Sequence, residues 1–185
     1  VLDEQAEPYR TTLHLLTQKP VLYVCNVHEQ DIGKDTGNAF VQKVRSIAKS
    51  ENNEVIVICS ALEAEIAQLS AAEQVDFLSG LGLSEPGLHR LIMPAYQLLG
   101  LQTYFTAGEK EVRAWTIRKG TKAPQAAAVI HSDFEKGFIR AETYHCEDLF
   151  ALKSETAVKE AGKYRSEGKD YLVRDGDVLF FRFNV

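Results

Sequence analysis

The chain has 185 residues, 45% apolar and 25% charged, and a formal net charge of −5. That size holds one large domain or two small ones around a proper core, and the composition is that of a folded globular protein, not a disordered or fibrous one. No stretch approaches the ~20 apolar residues of a membrane span, and three widely spaced cysteines without a C-x-x-C pattern argue against both a disulfide framework and a zinc site, so a cytoplasmic protein with no membrane partner is expected.

In chain order, residues 2–18 read as a helix, with Leu13, Leu15 and Leu16 apolar near its end and Pro20 blocking continuation. The chain opens on Val1 without a Met, and this helix has nothing before it to pack against. A fragment of a longer protein is therefore expected. Residues 21–25 are an unbroken apolar and aromatic run, read as a strand buried on both faces. Asn26 follows at once and Glu29 three residues later. Ligands of open α/β sheets bind outside the carboxyl ends of the strands, so both residues stand where a ligand would be read. The competing interpretation is a polar strand-to-helix loop.

Phe40, Val41, Val44, Ile47 and Ala48 then recur at helical spacing, Asn52 and Asn53 end that helix, and residues 55–59 form a second apolar strand followed by Ser60 and Ala61. Strand, helix and strand make a βαβ unit with a parallel pair, which brings Asn26 and Ser60 together. Ser70 and Glu73 form a capping box opening a helix through Leu78. Ser84 is expected to cap the next helix, which ends at Gly100. Two parallel strands need more neighbours than this stretch contains, so residues 21–100 read as part of a larger sheet.

From Leu101 the texture changes to short strands and turns, and the charge changes with it. Residues 1–100 carry 7 Lys and Arg against 13 Asp and Glu, whereas residues 101–185 carry 14 against 13. A hairpin is expected from 102–105 and 111–117, an Ala-rich helix from Pro124 to Ile130, and a strand over 138–144. Helical turns follow at 146–152 and 156–161. A second hairpin is read from 171–173 and 178–183 around Arg174-Asp175-Gly176-Asp177. Leu179, Phe181, Phe183 and Val185 alternate onto one face and should fill a small core. This is the pattern of an α+β roll of the ubiquitin-like β-grasp kind.

Some motifs carry less than they suggest. Gly33-Lys34-Asp35-Thr36-Gly37 lacks the first glycine and the Ser or Thr of the phosphate loop G-x-x-x-x-G-K-S/T, and reads as a solvated loop. The five histidines show no metal-ligand spacing. His131 beside Ser132 and Asp133 is a local grouping, better taken as surface polarity than as a triad. Lys110, Arg113, Arg118, Lys119, Lys122, Lys136 and Arg140 form a loose basic set, read either as a solvated face or as an RNA-facing one.

Taken together, the residues resemble a known family. Asn26-Val27-His28-Glu29 looks like the N-x-x-E base-recognition motif of the YchF, or Obg-like, ATPases, with Ser60-Ala61 at the next base-contacting loop. Residues 101–108, 112–117, 131–141, 168–171 and 175–177 resemble the TGS domain that closes the bacterial members. The resemblance implies a partial P-loop NTPase, Rossmann-like α/β segment at 21–100, preceded at 1–20 by the last helix of a helical insertion and followed at 101–185 by a β-grasp TGS domain. It implies ATP, with Mg²⁺ in the complete protein, as the nucleotide. Asn26, Val27 and Glu29 lie on the adenine side, with Ser60 and Ala61 beside them. It further implies ribosome or RNA binding through the TGS domain, for which Arg113, Arg118, Lys119 and Lys136 are the candidates. The family is linked to oxidative stress, which raises a redox role for Cys25 against a plain buried thiol. The phosphate loop is absent from this chain, so no ATP hydrolysis is expected of it alone, and the truncated sheet is expected to self-associate. The alternative is a TGS-type binding module whose residual α/β segment is only scaffold.

Overall fold

The computed structural model describes residues 11–33, 37–108 and 111–184, which divide into one unit ending at Leu99 and another beginning at Gly100. In the first unit, β1 (Leu22–Asn26) and β2 (Glu54–Ile58) pair in parallel, with Leu22 opposite Glu54 and Asn26 opposite Ile58. The crossover is α1 (Ala39–Glu51). Asn38 starts it, its Oδ1 accepting from the Phe40 and Val41 N–H groups at 3.0 and 3.2 Å. Asn52 stops it in the left-handed region at φ 58°, a conformation that asparagine tolerates better than most residues. Val41 and Ala48 form its buried stripe.

Three helices follow, α2 (Ser60–Ile66), α3 (Ala71–Gly80) and α4 (Gly87–Leu98). The Ser70–Glu73 capping box is present at the start of α3. The expected cap of α4 is not. The helix starts after Pro86, not at Ser84, and its first donors are taken by a side chain from α2. Glu63 accepts from the Gly87 N–H at 2.7 Å and the Leu88 N–H at 3.2 Å. A carboxylate at the positive end of a helix both fills orphan donors and meets the dipole. Glu63→Ala is therefore expected to cost about 1–2 kcal/mol. An unfolding midpoint in urea unchanged from the parent chain would contradict this.

Two expectations for this unit need correction. Residues 11–18 are not an α-helix but two 3₁₀ turns, Thr11–Leu13 and Leu16–Gln18. His14 at φ 48° and Leu15 in extended conformation interrupt the helical run between them; residues 2–10 of the expected helix lie outside the described residues. Nor is β1 buried on both faces, since Val24 is 45% exposed. Among the described residues β1 has β2 as its one strand neighbour, and its other edge is unpaired.

The second unit is a five-stranded mixed sheet in the order β4-β3-β7-β5-β6. β3 (Leu101–Ala107) and β4 (Val112–Arg118) form the expected hairpin, with Thr103 opposite Thr116. α5 (Ala123–Ile130) lays Ala123, Ala126 and Ala127 onto Tyr104, Ile117, Ala141, Leu179 and Phe181. Small side chains on this helix let it approach the sheet closely, and the buried Tyr104 hydroxyl donates to the Ala126 carbonyl at 2.9 Å. α6 (Ser132–Lys136) follows, then β5 (Phe138–His145), α7 (Cys146–Leu152) and α8 (Glu155–Glu160). Tyr144, Val158 and Val178 make a second, smaller core with Phe105, Leu149 and Tyr164.

β6 (Arg165–Glu167) and β7 (Asp177–Phe183) complete the sheet. The predicted hairpin of 171–173 with 178–183 does not form. β7 pairs antiparallel with β5 and meets β3 in parallel at Phe105–Val178. Leu172 instead bridges Lys122, and the Val173 N–H donates to the Thr121 carbonyl at 3.0 Å. The tight turn is real but redirects the chain. Gly176 at φ 79° supplies the left-handed step, and the Asp177 carboxylate, accepting from the Arg174 N–H at 2.8 Å, takes the place of a strand partner. Leu179 and Phe181 are buried as expected, Phe183 stacks on Phe134 at 3.9 Å, and Val185 lies outside the described residues.

Candidate functional site

β1 and β2 run in parallel, so the loops at their carboxyl ends emerge side by side. Pairing continues one residue past β1, where the Val27 N–H donates to the Ile58 carbonyl at 2.9 Å. The Asn26 side chain then crosses to the second loop, its Oδ1 accepting from the Ser60 N–H at 3.0 Å. That bond does two things. It satisfies an orphan donor at the start of α2, and it fixes the amide plane so that Nδ2 faces away from Ser60. Nδ2 has no partner among the described residues. Asn26, Glu29, Ser60 and Ala61 are exposed and Val27 is half-buried. The geometry thus offers a rigid, outward amide donor beside an apolar side chain.

Glu29 begins a 3₁₀ turn, Glu29–Asp31, that His28 starts by accepting from the Gln30 N–H at 3.4 Å. Beside these loops a cleft of about 460 Å³ is lined by Tyr23, Cys25, Val27, Asn38, Phe40 and Val44, among others. Cys25 is half-buried and contributes to its wall. All five residues read from the sequence as base-side residues come together at one end of the parallel pair. Lys34, Asp35 and Thr36, in the loop resembling a phosphate site, lie outside the described residues.

The basic candidates of the second unit do not make one patch. Arg113 and Arg118 are five residues apart on β4, about 17 Å at strand spacing, and on opposite faces. Arg113 stacks over Trp115 at 4.2 Å, and Lys136 lies 3.9 Å from Asp133 on α6. Arg118 and the adjacent Lys119 remain as an exposed pair at one end of the hairpin.

His131 belongs to no triad. Its Nδ1 accepts from the Asp133 N–H at 3.2 Å and starts α6, as His145 starts α7 by accepting from the Glu147 N–H at 3.3 Å. Among the described residues no three His, Cys, Asp or Glu side chains gather as a metal site would require, and no helix is long and apolar enough to cross a membrane.

Two polar groupings escaped the sequence reading. Glu142 on β5 accepts from Arg140, Arg182 and Tyr164, and the Arg182 hydrogen bond, with help from Arg140, holds its carboxyl below the usual carboxylate range. Asp177 is buried beneath Tyr171, Arg174 and Arg165. Burial, then the bond to Asp177, pushes the Tyr171 hydroxyl up to about 12. Both groupings draw their members from strands and turns distant in sequence; the one local signal was the Arg174-Asp175-Gly176-Asp177 run, legible as a turn only.

A family model named YchF-GTPase_C, described as a protein of unknown function (DUF933), matches residues 101–184. A relative described as the ribosome-binding ATPase YchF of Bacillus subtilis (strain 168) is 57% identical over 182 residues, 98% of this chain and 50% of the relative. The protein of the same description from Haemophilus ducreyi is 56% identical over 172 residues, 93% of this chain and 47% of its own length. A solved structure of the Schizosaccharomyces pombe YchF GTPase superimposes with a TM-score of 0.85 at 38% identity, over 98% of this chain and 48% of that one. The chain spans about half the length of the curated relatives it matches.

Proposed function

The chain belongs to the YchF family, and on that ground we propose that it is the base-reading and ribosome-facing half of a cytoplasmic, ribosome-associated ATPase. The observation that carries the nucleotide part is the Asn26 Oδ1 bond to the Ser60 N–H, which locks both loops into one surface. Asn26, Val27 and Glu29, with Ser60 and Ala61, read adenine. Nδ2 of Asn26 donates to N7, the remaining lone pair of Oδ1 accepts from N6–H₂, Val27 lies against the ring, and Glu29 turns aside because adenine offers no N1–H or N2 amine to a carboxylate. The related proteins are described as ATPases in bacteria and as a GTPase in the yeast, so base choice is the property to test. Mg²⁺ and the triphosphate need a phosphate loop, and the sequence of this chain holds no G-x-x-x-x-G-K-S/T. What its residues do is select and orient the base. Residue-resolved titration with adenine and guanine nucleotides tests this.

The second unit is proposed as a β-grasp domain of the TGS kind. Its strand order supports that reading, with a central parallel contact between β3 and β7 flanked on both sides by antiparallel partners and α5 across one face. Ribosomal RNA is its proposed partner, through Arg118 and Lys119 first, with Arg113 and Lys136 as outlying contacts. Replacing Arg118 and Lys119 with Gln is expected to reduce the salt slope of ribosome binding by about 2, one per phosphate released. Co-sedimentation over a salt series that keeps its slope would move the contact elsewhere.

Self-association is proposed for the first unit. β1 carries an unpaired edge, and Val24, Phe40, Ile92 and Met93 are exposed there and on the helices. Residues 1–99 are expected to scatter light as dimers or larger species at micromolar concentration; a monodisperse monomer would contradict this. The second reading, a binding module with an α/β scaffold, draws on the same two-stranded sheet and predicts no base preference at all.

A further inference from the structure

Asp177, the first residue of β7, is fully buried, with 0% of its surface exposed. Its Oδ2 accepts from the Tyr171 hydroxyl at 2.7 Å and from the Arg174 N–H at 2.8 Å. Its Oδ1 has no hydrogen-bond partner. Native proteins leave few buried acceptors unmade, and a charged one is the costliest to leave. The nearest cation is Arg165 Nη2 at 3.9 Å, beyond hydrogen-bond range, and that guanidinium is already engaged with the Tyr171 hydroxyl and the Glu167 carboxylate, both at 3.2 Å.

Asp177 lines a cleft of about 280 Å³ on the second unit, together with His145, Asp148, Lys163, Arg165 and Arg174. Arg174 is exposed, and among the described residues its guanidinium has no ion-pair partner. Lys163 is only loosely held, 3.9 Å from Asp148. One wall is the turn itself. His145 Nε2 lies 2.9 Å from the Asp175 carbonyl oxygen, and a side chain at Gly176 would meet the His145 ring and the Cys146 sulfur.

These features constrain what fits. The occupant must donate a hydrogen bond to Oδ1 and present an anionic group to Lys163 and Arg174. Its donor must be neutral, because an ammonium would face Lys163, Arg165 and Arg174. It must also be small, since the cleft falls below the ~300–1,000 Å³ of drug-sized ligand sites. A phosphorylated sugar meets all of these conditions, with a hydroxyl on the carboxylate and phosphate oxygens on the cations.

We propose that this cleft binds a ribose phosphate group, as a free sugar phosphate or as one unit of an RNA chain, with Asp177 accepting from a ribose hydroxyl and Lys163 and Arg174 holding the phosphate. The site uses none of the base-reading residues, and its test is independent of nucleotide preference and of ribosome binding.

Amide shifts of the isotope-labelled chain, titrated in turn with ribose 5-phosphate, 2-deoxyribose 5-phosphate and inorganic phosphate, provide that test. The expected result is shifts confined to residues around 145, 163, 174 and 177, with ribose 5-phosphate roughly tenfold tighter than the deoxy sugar, the ratio one hydrogen bond to a charged acceptor supplies. Lys163→Ala combined with Arg174→Ala changes only exposed side chains and should abolish the shifts without altering the fold. Asp177→Asn should remove the preference for ribose. Should that variant fail to fold, the ribose-to-deoxyribose ratio on the parent chain carries the same information. Short single-stranded RNA binding more tightly than ribose 5-phosphate assigns the source to RNA, and the reverse assigns it to the free sugar phosphate; both support the site. Equal affinity for phosphate and ribose 5-phosphate, equal affinity for the two sugars, or no shift in the cleft would overturn the proposal and leave Asp177 with a trapped water only.

Discussion

Gly137→Ala lowers the stability of the second unit by about 1–3 kcal/mol. Gly137 ends α6 with an ordinary φ of −88°, so the effect owes nothing to backbone strain. It comes from space. A Cβ there would overlap the carbonyl oxygen of Asn184 and crowd its backbone nitrogen at 3.2 Å. Asn184 has little freedom to yield, because its N–H donates to the Gly137 carbonyl at 2.9 Å and it directly follows β7. Relief would require the end of β7 to move, loosening Phe183 from Phe134 and the Phe138–Phe183 pair. Gly168→Ala is the control, since nothing lies within 4 Å of a Cβ at that position, and it should stay within about 0.5 kcal/mol of the parent. Urea unfolding of both variants separates the cases, and equal midpoints would show that the chain end gives way freely.

Asn26→Ala weakens adenine-nucleotide binding by roughly 10- to 100-fold, the loss expected from a bidentate amide–base pair of about 1–3 kcal/mol. Alanine removes the Nδ2 donor and also unfastens the loop after β2, because the Ser60 N–H loses its acceptor. Asn26→Asp separates these contributions. It keeps an oxygen for Ser60 but places a second acceptor toward N7, so it should bind as poorly as alanine while leaving the Ser60 amide unshifted. Val27→Lys with Glu29→Asp should move preference toward guanine, whose N1–H and N2 amine suit a short carboxylate.

What was legible in the sequence follows from how local each signal is. The parallel pair and the meeting of Asn26 with Ser60 could be read because two apolar runs and one intervening helix leave a single economical topology. The α5 helix and the last strand showed in their periodicity. Other features depend on partners that no local pattern reveals. β6 carries the sequence Arg-Ser-Glu and is a strand only because β5 offers it an edge. The start of α4 is set by Glu63, more than twenty residues earlier, so Ser84 looked like the cap and is not. The turn at 174–177 was legible in its glycine, but its outcome was set by Asp177, which turns inward and sends β7 to β5 and β3 instead of back along 171–173. Burial of β1 was overestimated because an apolar run says what a strand can pack against, not whether a neighbour is there.

The reading of Asn26 as the residue that selects adenine is tested most directly by amide-shift titration of the isotope-labelled chain with AMP and, separately, GMP. Shifts at Asn26, Val27, Glu29, Ser60 and Ala61 are expected at roughly tenfold lower AMP than GMP, and their loss in Asn26→Ala is expected with the two units still folded. Equal responses to the two nucleotides at these five residues, or an Asn26→Ala chain that still prefers AMP there, would contradict it.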